Sequence, residues 1–492
     1  MLALLSLLKR QIQHHPKKLF FLGVFGAGLL LGDGMLTPSI SVISALEGIA
    51  VISPEFSHLI TPMAFIILLA LFGCQKFGTE KIGFSFGPII LLWFITIAIL
   101  GGLSIYNNPV VLEAINPYYG YKFAVNNGLH FLPLVSGIFL VITGAEAMYA
   151  DLGHFGKTPI RLGWFCVALP SVLLNYFGQG AYALAHPADI NNLFYSLAPS
   201  WFIYPLVILA TLATIIASQA VITASFSLIH QAISLNIFPR LLIKHTSSKE
   251  KGQIYIPHLN TILAIGTLSL VLIFKKSSAL AAAYGIAVNL VMIIVAILVI
   301  CVARLYWRWS VLKIISIFSI FMLIDLLFLV ANIHKIEEGG WIPLAIATGF
   351  AFIMFSWREG ILFLRKRYYQ DKTTLNDLFD YIESTKPMKL KEVTNVFITN
   401  NVDQSIGCFL HYLKINRFIP AKTLIINIVM AMHPFVPDRE RYHIEDLSQD
   451  IYKLTLNYGF MQTINIPQAL IDWNRINSLY LNIDPNKLML RT

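Results

Sequence analysis

The sequence predicts an all-α polytopic membrane protein followed by a small α/β domain. Three observations predict it. The 492 residues are 57% hydrophobic and only 13% charged, about half the charge of a typical soluble domain. Mean hydropathy is +0.69. Apolar runs long enough to cross a hydrocarbon core as helices, about 17–25 residues each, recur through the first 357 residues and then stop. The same figures exclude a disordered chain, a collagen-like fibre and a disulfide-stapled secreted module. Four cysteines (Cys74, Cys166, Cys301 and Cys408) lie far apart with no CxxC, which argues against a disulfide framework and a thiolate zinc site.

Residues 1–18 read as a cytoplasmic N-terminal segment: a short amphipathic piece, Met1–Leu8, then the basic stretch KRQIQHHPKK. The apolar piece is too short for a signal peptide, and its charges follow rather than precede it. A transmembrane domain over 19–357 follows, with ten spans near 19–49, 59–75, 82–105, 131–150, 161–184, 202–227, 257–275, 279–303, 310–332 and 340–357. Residues 358–492 hold 17 Lys+Arg and 14 Asp+Glu and read as a cytoplasmic C-terminal domain. There Asn395–Thr399, Thr423–Ile428 and Tyr452–Leu456 predict strands and Gln404–Leu413 a helix, hence a small α/β fold.

Orientation follows from the basic residues of the loops. Fifteen Lys and Arg fall in the N-terminus and the second, fourth, sixth and eighth loops; only Lys122, Lys275, Lys276 and Lys335 fall in the others. Both termini are therefore expected on the cytoplasmic side. The formal net charge of +10 lies mostly on that face of the bilayer, so no nucleic-acid partner is implied.

A carboxylate near the bilayer centre costs roughly 2.5–3.5 kcal/mol on insertion scales and faces a cavity, a partner or a task. Asp33, Glu47, Glu146 and Asp325 fall inside predicted spans, and Asp151 ends one. Asp33, Thr37 and Ser41 recur every fourth residue, so a helix sets their oxygens on one face. Pro38 offers no N–H to the carbonyl of Gly34. Such an oxygen set suits a hard alkaline cation. The alternative is an interfacial Asp33, with the two hydroxyls bonding their own helix. Glu47 lies nearer the outer end and reads as a wetted helix end.

Glu146 follows Thr143 by three residues, with Gly144 weakening the helix between them. Interrupted helices at mid-membrane are where transporters coordinate ions. No Lys or Arg lies in a facing span, and a buried carboxyl without a cationic partner can carry a proton. Glu146 is accordingly the candidate coupling residue. Thr211, Thr214, Ser218 and Ser225 form a polar stripe, with Gln219 beside it. Asn175 with Gln179, and Tyr284 with Asn289, add polar groups on two more spans. Taken singly, such residues read as glue between helices. Asp325 has Asn332 as its only polar neighbour at helical spacing and receives no role. The run Gly23, Gly26, Gly28, Gly32, Gly34 imitates a dinucleotide fingerprint, but it lacks a preceding strand; helix packing through Gly28 and Gly32 is the reading. Gly156-Lys157-Thr158 lacks the upstream glycine of a phosphate loop, and His14, His15 and His154 are isolated imidazoles. No nucleophile–base pair or metal cluster points to an enzyme, and no cofactor is expected.

The stretches GDGMLTPSISVISALEGI, ITGAEAMYADLGHFGKTPIRLGWF, LPSVLLNYFGQGA, ATIIASQAVITASFSL, GQIYIP and AAAYGIAV resemble the Kup/HAK/KT potassium transporters. The resemblance runs from near residue 1 to about residue 465. It implies potassium uptake by proton symport in the bacterial inner membrane. It also implies the inverted-repeat fold of the amino acid–polyamine–organocation superfamily. The family's cation-site positions carry over to Asp33, Thr37, Ser41, Thr143, Glu146 and Tyr284, with Glu146 and Asp33 as the proton-coupling candidates. The family often has Glu where this chain has Asp33, one methylene longer. Potassium, protons, the lipid bilayer and a second copy through the C-terminal domain are the expected partners.

The family has about twelve membrane helices, and this chain aligns from the loop before the third. The first repeat is then incomplete, without the segment GDIGTSPLY that helps form the family's cation site. Alternative readings are a truncated, non-transporting relative and an amino-acid permease on the same fold.

Overall fold

The computed structural model describes residues 1–9, 16–78, 83–144, 157–188, 192–246, 254–368, 375–390, 394–399, 402–430, 436–448, 450–459, 462, 464–476 and 488–491. It divides into two compact units, Met1–Thr246 with Gly252–Glu359, and Ser247–Lys251 with Gly360–Thr492.

The first unit is helical. Its main helices are α1 (Leu2–Lys9), α2 (Pro16–Leu46), α3 (Ile60–Cys74), α4 (Gly83–Asn107), α5 (Leu132–Ile142), α6 (Leu169–Ala185), α7 (Ile203–Ser234), α8 (Pro257–Phe274), α9 (Ser277–Leu305), α10 (Val311–Asn332) and α11 (Trp341–Tyr368). A short helix, Lys157–Leu162, and a π turn, Gly163–Ala168, lead into α6. Among the described residues, nine helices are long and apolar enough to cross a membrane. The remaining expected span, 131–150, is described as far as Gly144 and is helical over Leu132–Ile142. Large apolar side chains such as Phe84, Leu103 and Leu312 are exposed, as a lipid-facing surface requires.

α2 lies in the core, where Val24, Ala27, Leu29, Leu31 and Leu36 are fully buried. Its glycines let neighbours approach. A methyl group at Gly28 would sit 2.5 Å from the Ala347 carbonyl oxygen, and Gly32 faces Pro343 and Ile346, so both pack on α11. The expected helix-packing role of this pair is what the structure shows. α2 ends at Leu46, turns at Glu47 and continues as the short helix Gly48–Ile52.

The second unit carries a five-stranded sheet of β1 (Thr394–Thr399), β2 (Lys422–Met430), β3 (Tyr442–Ser448), β4 (Ile451–Tyr458) and β5 (Leu488–Arg491), in the order β3-β4-β2-β1-β5. All neighbours are parallel except β3 against β4. Parallel strands need crossovers, which cover both faces. Helix α14 (Ile466–Ile476) sets Leu470 and Trp473 against Val396, Leu424 and Leu454. On the other face, α12 (Leu375–Thr385) and α13 (Val402–Asn416) set Leu378, Phe409 and Leu413 against Phe397 and Ile425. The alternation of Leu424, Ile425 and Ile426 between the two clusters is the period of two expected of a strand.

Candidate functional site

Asp33, Thr37 and Ser41 all lie on α2, and Asp33 is buried. The Thr37 hydroxyl donates to Asp33 Oδ1 at 2.7 Å, one turn away. Thr37 and Ser41 are half-buried. Pro38 sits inside the helix, so the Gly34 carbonyl receives no N–H from the residue four along. Gly34 also allows α7 to approach closely, at Ser225. Two residues on from Asp33, the Met35 carbonyl accepts from both Ser39 and Thr267, and Ser39 also reaches the Thr267 carbonyl. Sequence reading missed this α2–α8 knot. Ser39 lies off the Asp33 face, whereas Thr267 shares a buried face of α8 with Asn260 seven residues back, a spacing that could have marked it.

Thr143 caps the C-terminal end of α5 in an extended conformation and donates to the Leu140 carbonyl at 2.8 Å. Gly144 follows at φ 107°, in the region that favours glycine, so the helix stops where the sequence weakens it. Glu146 lies outside the described residues. Tyr284 is half-buried on α9, against the cluster of Val135, Phe139, Val288, Phe328 and Ala331 that joins α5, α9 and α10. Among the described site residues, a hydrogen bond joins Thr37 to Asp33.

A buried polar seam joins the same three helices. Ser136 donates to Asn332 Oδ1 at 2.7 Å, Asn332 donates to the Phe328 carbonyl, and Asn289 donates to the backbone carbonyl of Asp325. Asp325, given only Asn332 as a neighbour from the sequence, is therefore approached through its backbone by another helix.

A family model described as the K+ potassium transporter integral membrane domain matches residues 1–361. The chain belongs to the Kup/HAK/KT potassium transporter family. A second model, the K+ potassium transporter C-terminal domain, matches residues 392–489. A protein of Legionella pneumophila (strain Corby), "Probable potassium transport system protein Kup 1", is 50% identical over 469 residues, 95% of this chain and 74% of that protein. "Probable potassium transport system protein Kup 2" of Legionella pneumophila (strain Lens) is 44% identical over 488 residues, 99% of this chain and 78% of that protein. Family membership and the apolar helices together make this Kup-family chain a multi-pass membrane protein.

Two expectations are corrected. Glu47, half-exposed at the end of α2, does more there than meet water. Its Oε1 accepts from the Ser277 N–H at 2.9 Å and its Oε2 from the Ser277 hydroxyl at 2.6 Å. The first turn of α9 has N–H groups without helical acceptors, which attracts a carboxylate. Beside it, the fully buried Tyr195 donates to the Ala45 carbonyl at 2.6 Å. Burial, and behind it the Glu47 carboxylate, push the Tyr195 phenol well above its ordinary range, so it remains a donor at physiological pH.

The second correction concerns the α7 stripe. Thr211, Thr214, Ser218 and Ser225 each donate to a carbonyl of their own helix. In an apolar span the nearest acceptor is the carbonyl one turn back, whose second lone pair is still open. On α7 the bond to another helix comes instead from an amide, as it does between α6 and α4. Gln75 and Gln219 exchange hydrogen bonds in both directions, and Asn175 reaches the Ile97 carbonyl.

Proposed function

We propose that this chain carries potassium ions into the cell by proton symport, in the cytoplasmic membrane of a bacterium with both termini inside. The observation that carries the reading is the Asp33–Thr37 pair. A carboxylate buried in a membrane-spanning helix accepts a hydroxyl proton beside a carbonyl that Pro38 leaves without its helical partner. Those are oxygens of the kind an alkaline cation takes in place of water. Names of relatives half identical to this chain support potassium as the ion. Asp33, Thr37, Ser41, Thr143, Glu146 and Tyr284 are the proposed cation-binding residues. Glu146, with Asp33 behind it, is the proposed proton carrier.

Rubidium uptake by a potassium-uptake-deficient bacterium expressing the chain tests the reading. Uptake is expected to fall roughly tenfold or more in Asp33→Asn, the size of a lost contact to a charged group. In Glu146→Gln, uptake should lose its acceleration at acid pH. Wild-type pH dependence in Glu146→Gln would remove that residue from coupling. Uptake competed by amino acids, and not by potassium, would favour a permease on the same fold.

A further inference from the structure

The tie between Glu47 and Ser277 joins helices that both carry residues of the proposed site. Two contacts show how α2 lies along α9. At one end, a methyl group at Gly26 would meet Ile294 Cγ2 at 3.0 Å; at the other, Glu47 holds Ser277. Position 26 opposite 294, and 47 opposite 277, make the two helices antiparallel. Counting inward from both contacts brings Thr37 level with Tyr284, to within about one helical turn.

The start of α9 lacks a local side-chain cap. Its N-cap is Lys276, in an extended conformation and without a side-chain capping bond. Glu47, 230 residues away in the chain, supplies the cap instead. The tie lies roughly 10 Å outward of Tyr284, seven residues along the helix. The segment that bears it is held from another side by Tyr195. That side chain bonds the Ala45 carbonyl, and its ring occupies the space a methyl at Gly48 would need. A slip of one turn would displace one oxygen set from the other by roughly 5 Å.

We infer that Glu47 is a positioning residue: by holding the amide and hydroxyl of Ser277 it fixes the axial register of α2 against α9, and so keeps Thr37, at the centre of the Asp33–Thr37–Ser41 face, level with Tyr284. This rests on the transport reading above. A register that is competent a tenth of the time raises KM about tenfold and leaves the maximum rate in place.

The test is rubidium-uptake kinetics at matched membrane levels for Glu47→Ala, Glu47→Gln and Ser277→Ala. Glu47→Ala is expected to raise KM roughly tenfold with a maximum rate within about twofold of wild type. Ser277→Ala keeps the backbone N–H bond and should change KM by less than about threefold. The double variant should be no worse than Glu47→Ala, because one tie is lost in both. An unchanged KM in Glu47→Ala, or a loss confined to the maximum rate, overturns the inference. If Glu47→Ala does not reach the membrane, Glu47→Gln is read by the same criteria, with a smaller rise expected and an unchanged KM again fatal. If the wild-type chain takes up no rubidium, the transport reading fails. The tie is then judged by hydrogen exchange over 277–284 in the purified full chain. Faster exchange in Glu47→Ala supports it, and unaltered exchange overturns it.

Discussion

A methyl group added at Gly34 would lie 2.4 Å from the hydroxyl oxygen of Ser225 but 3.5 Å from its Cβ. The obstacle is therefore the hydroxyl, which is bonded to the Val221 carbonyl. Gly34→Ala should cost about 1–3 kcal/mol, as overpacking does, and Ser225→Ala in the same chain should recover most of it. Gly28→Ala meets the backbone of Ala347, so no side-chain change opposite should rescue it. Thermal unfolding in detergent measures all three.

Thr37 is expected to matter through its hydroxyl alone. Thr37→Val removes the donor to Asp33 and should raise the KM for rubidium roughly tenfold. Thr37→Ser keeps the donor and should stay within about twofold. Equal kinetics for the two variants would separate the Asp33–Thr37 bond from ion binding.

Gln75, just past the end of α3, and Gln219 of α7 form a closed amide pair. Replacing either by Leu strands a largely buried amide, at about 1–3 kcal/mol. Replacing both removes the stranded group, so the double variant should be more stable than the sum of the singles by about that amount. Additive losses in the unfolding midpoint would contradict this.

In the second unit, the Lys453 ammonium donates to Glu445 at 2.6 Å across β3 and β4 and holds the carboxyl below its usual range. The folded value is lower than the unfolded one. The bond therefore adds stability above the ordinary carboxylate range, about pH 4, and loses it as pH falls through the lowered value. Water reaches the Glu445 side of the pair, so the effect is small. Lys453→Met should remove this step from the pH profile of hydrogen exchange over Tyr442–Tyr458.

Hydropathy located the membrane helices well because lipid contact demands apolar side chains along a whole span. It placed α8 at 257–275 against the observed Pro257–Phe274. It located helix ends poorly where helices continue past the lipid: α11 runs to Tyr368, eleven residues beyond its apolar run. Periodicity found Asp33, Thr37 and Ser41, because their spacing is that of one helix. It could not find Glu47 with Ser277, Tyr195 with Ala45, or Ser39 with Thr267. Each of those bonds joins residues more than a hundred positions apart, and nothing local records where a chain will return. In the second unit the patterns of β1, β2 and β4 were legible, whereas β3 and β5 were not expected, and the place of β5 beside β1 depends on a crossover that no local pattern encodes.

The bond between Ser136 and Asn332 spans 196 residues. At roughly 5–20 residues per second of synthesis, α5 enters the bilayer about 10–40 s before its partner exists. For that interval the Ser136 hydroxyl has only its own helix, or a lipid or water defect, to satisfy it. Closure of the α5–α9–α10 seam is thus a late event in biogenesis. A substitution at Asn332 would be felt first as a nascent protein held open to quality control, before any ion has been moved.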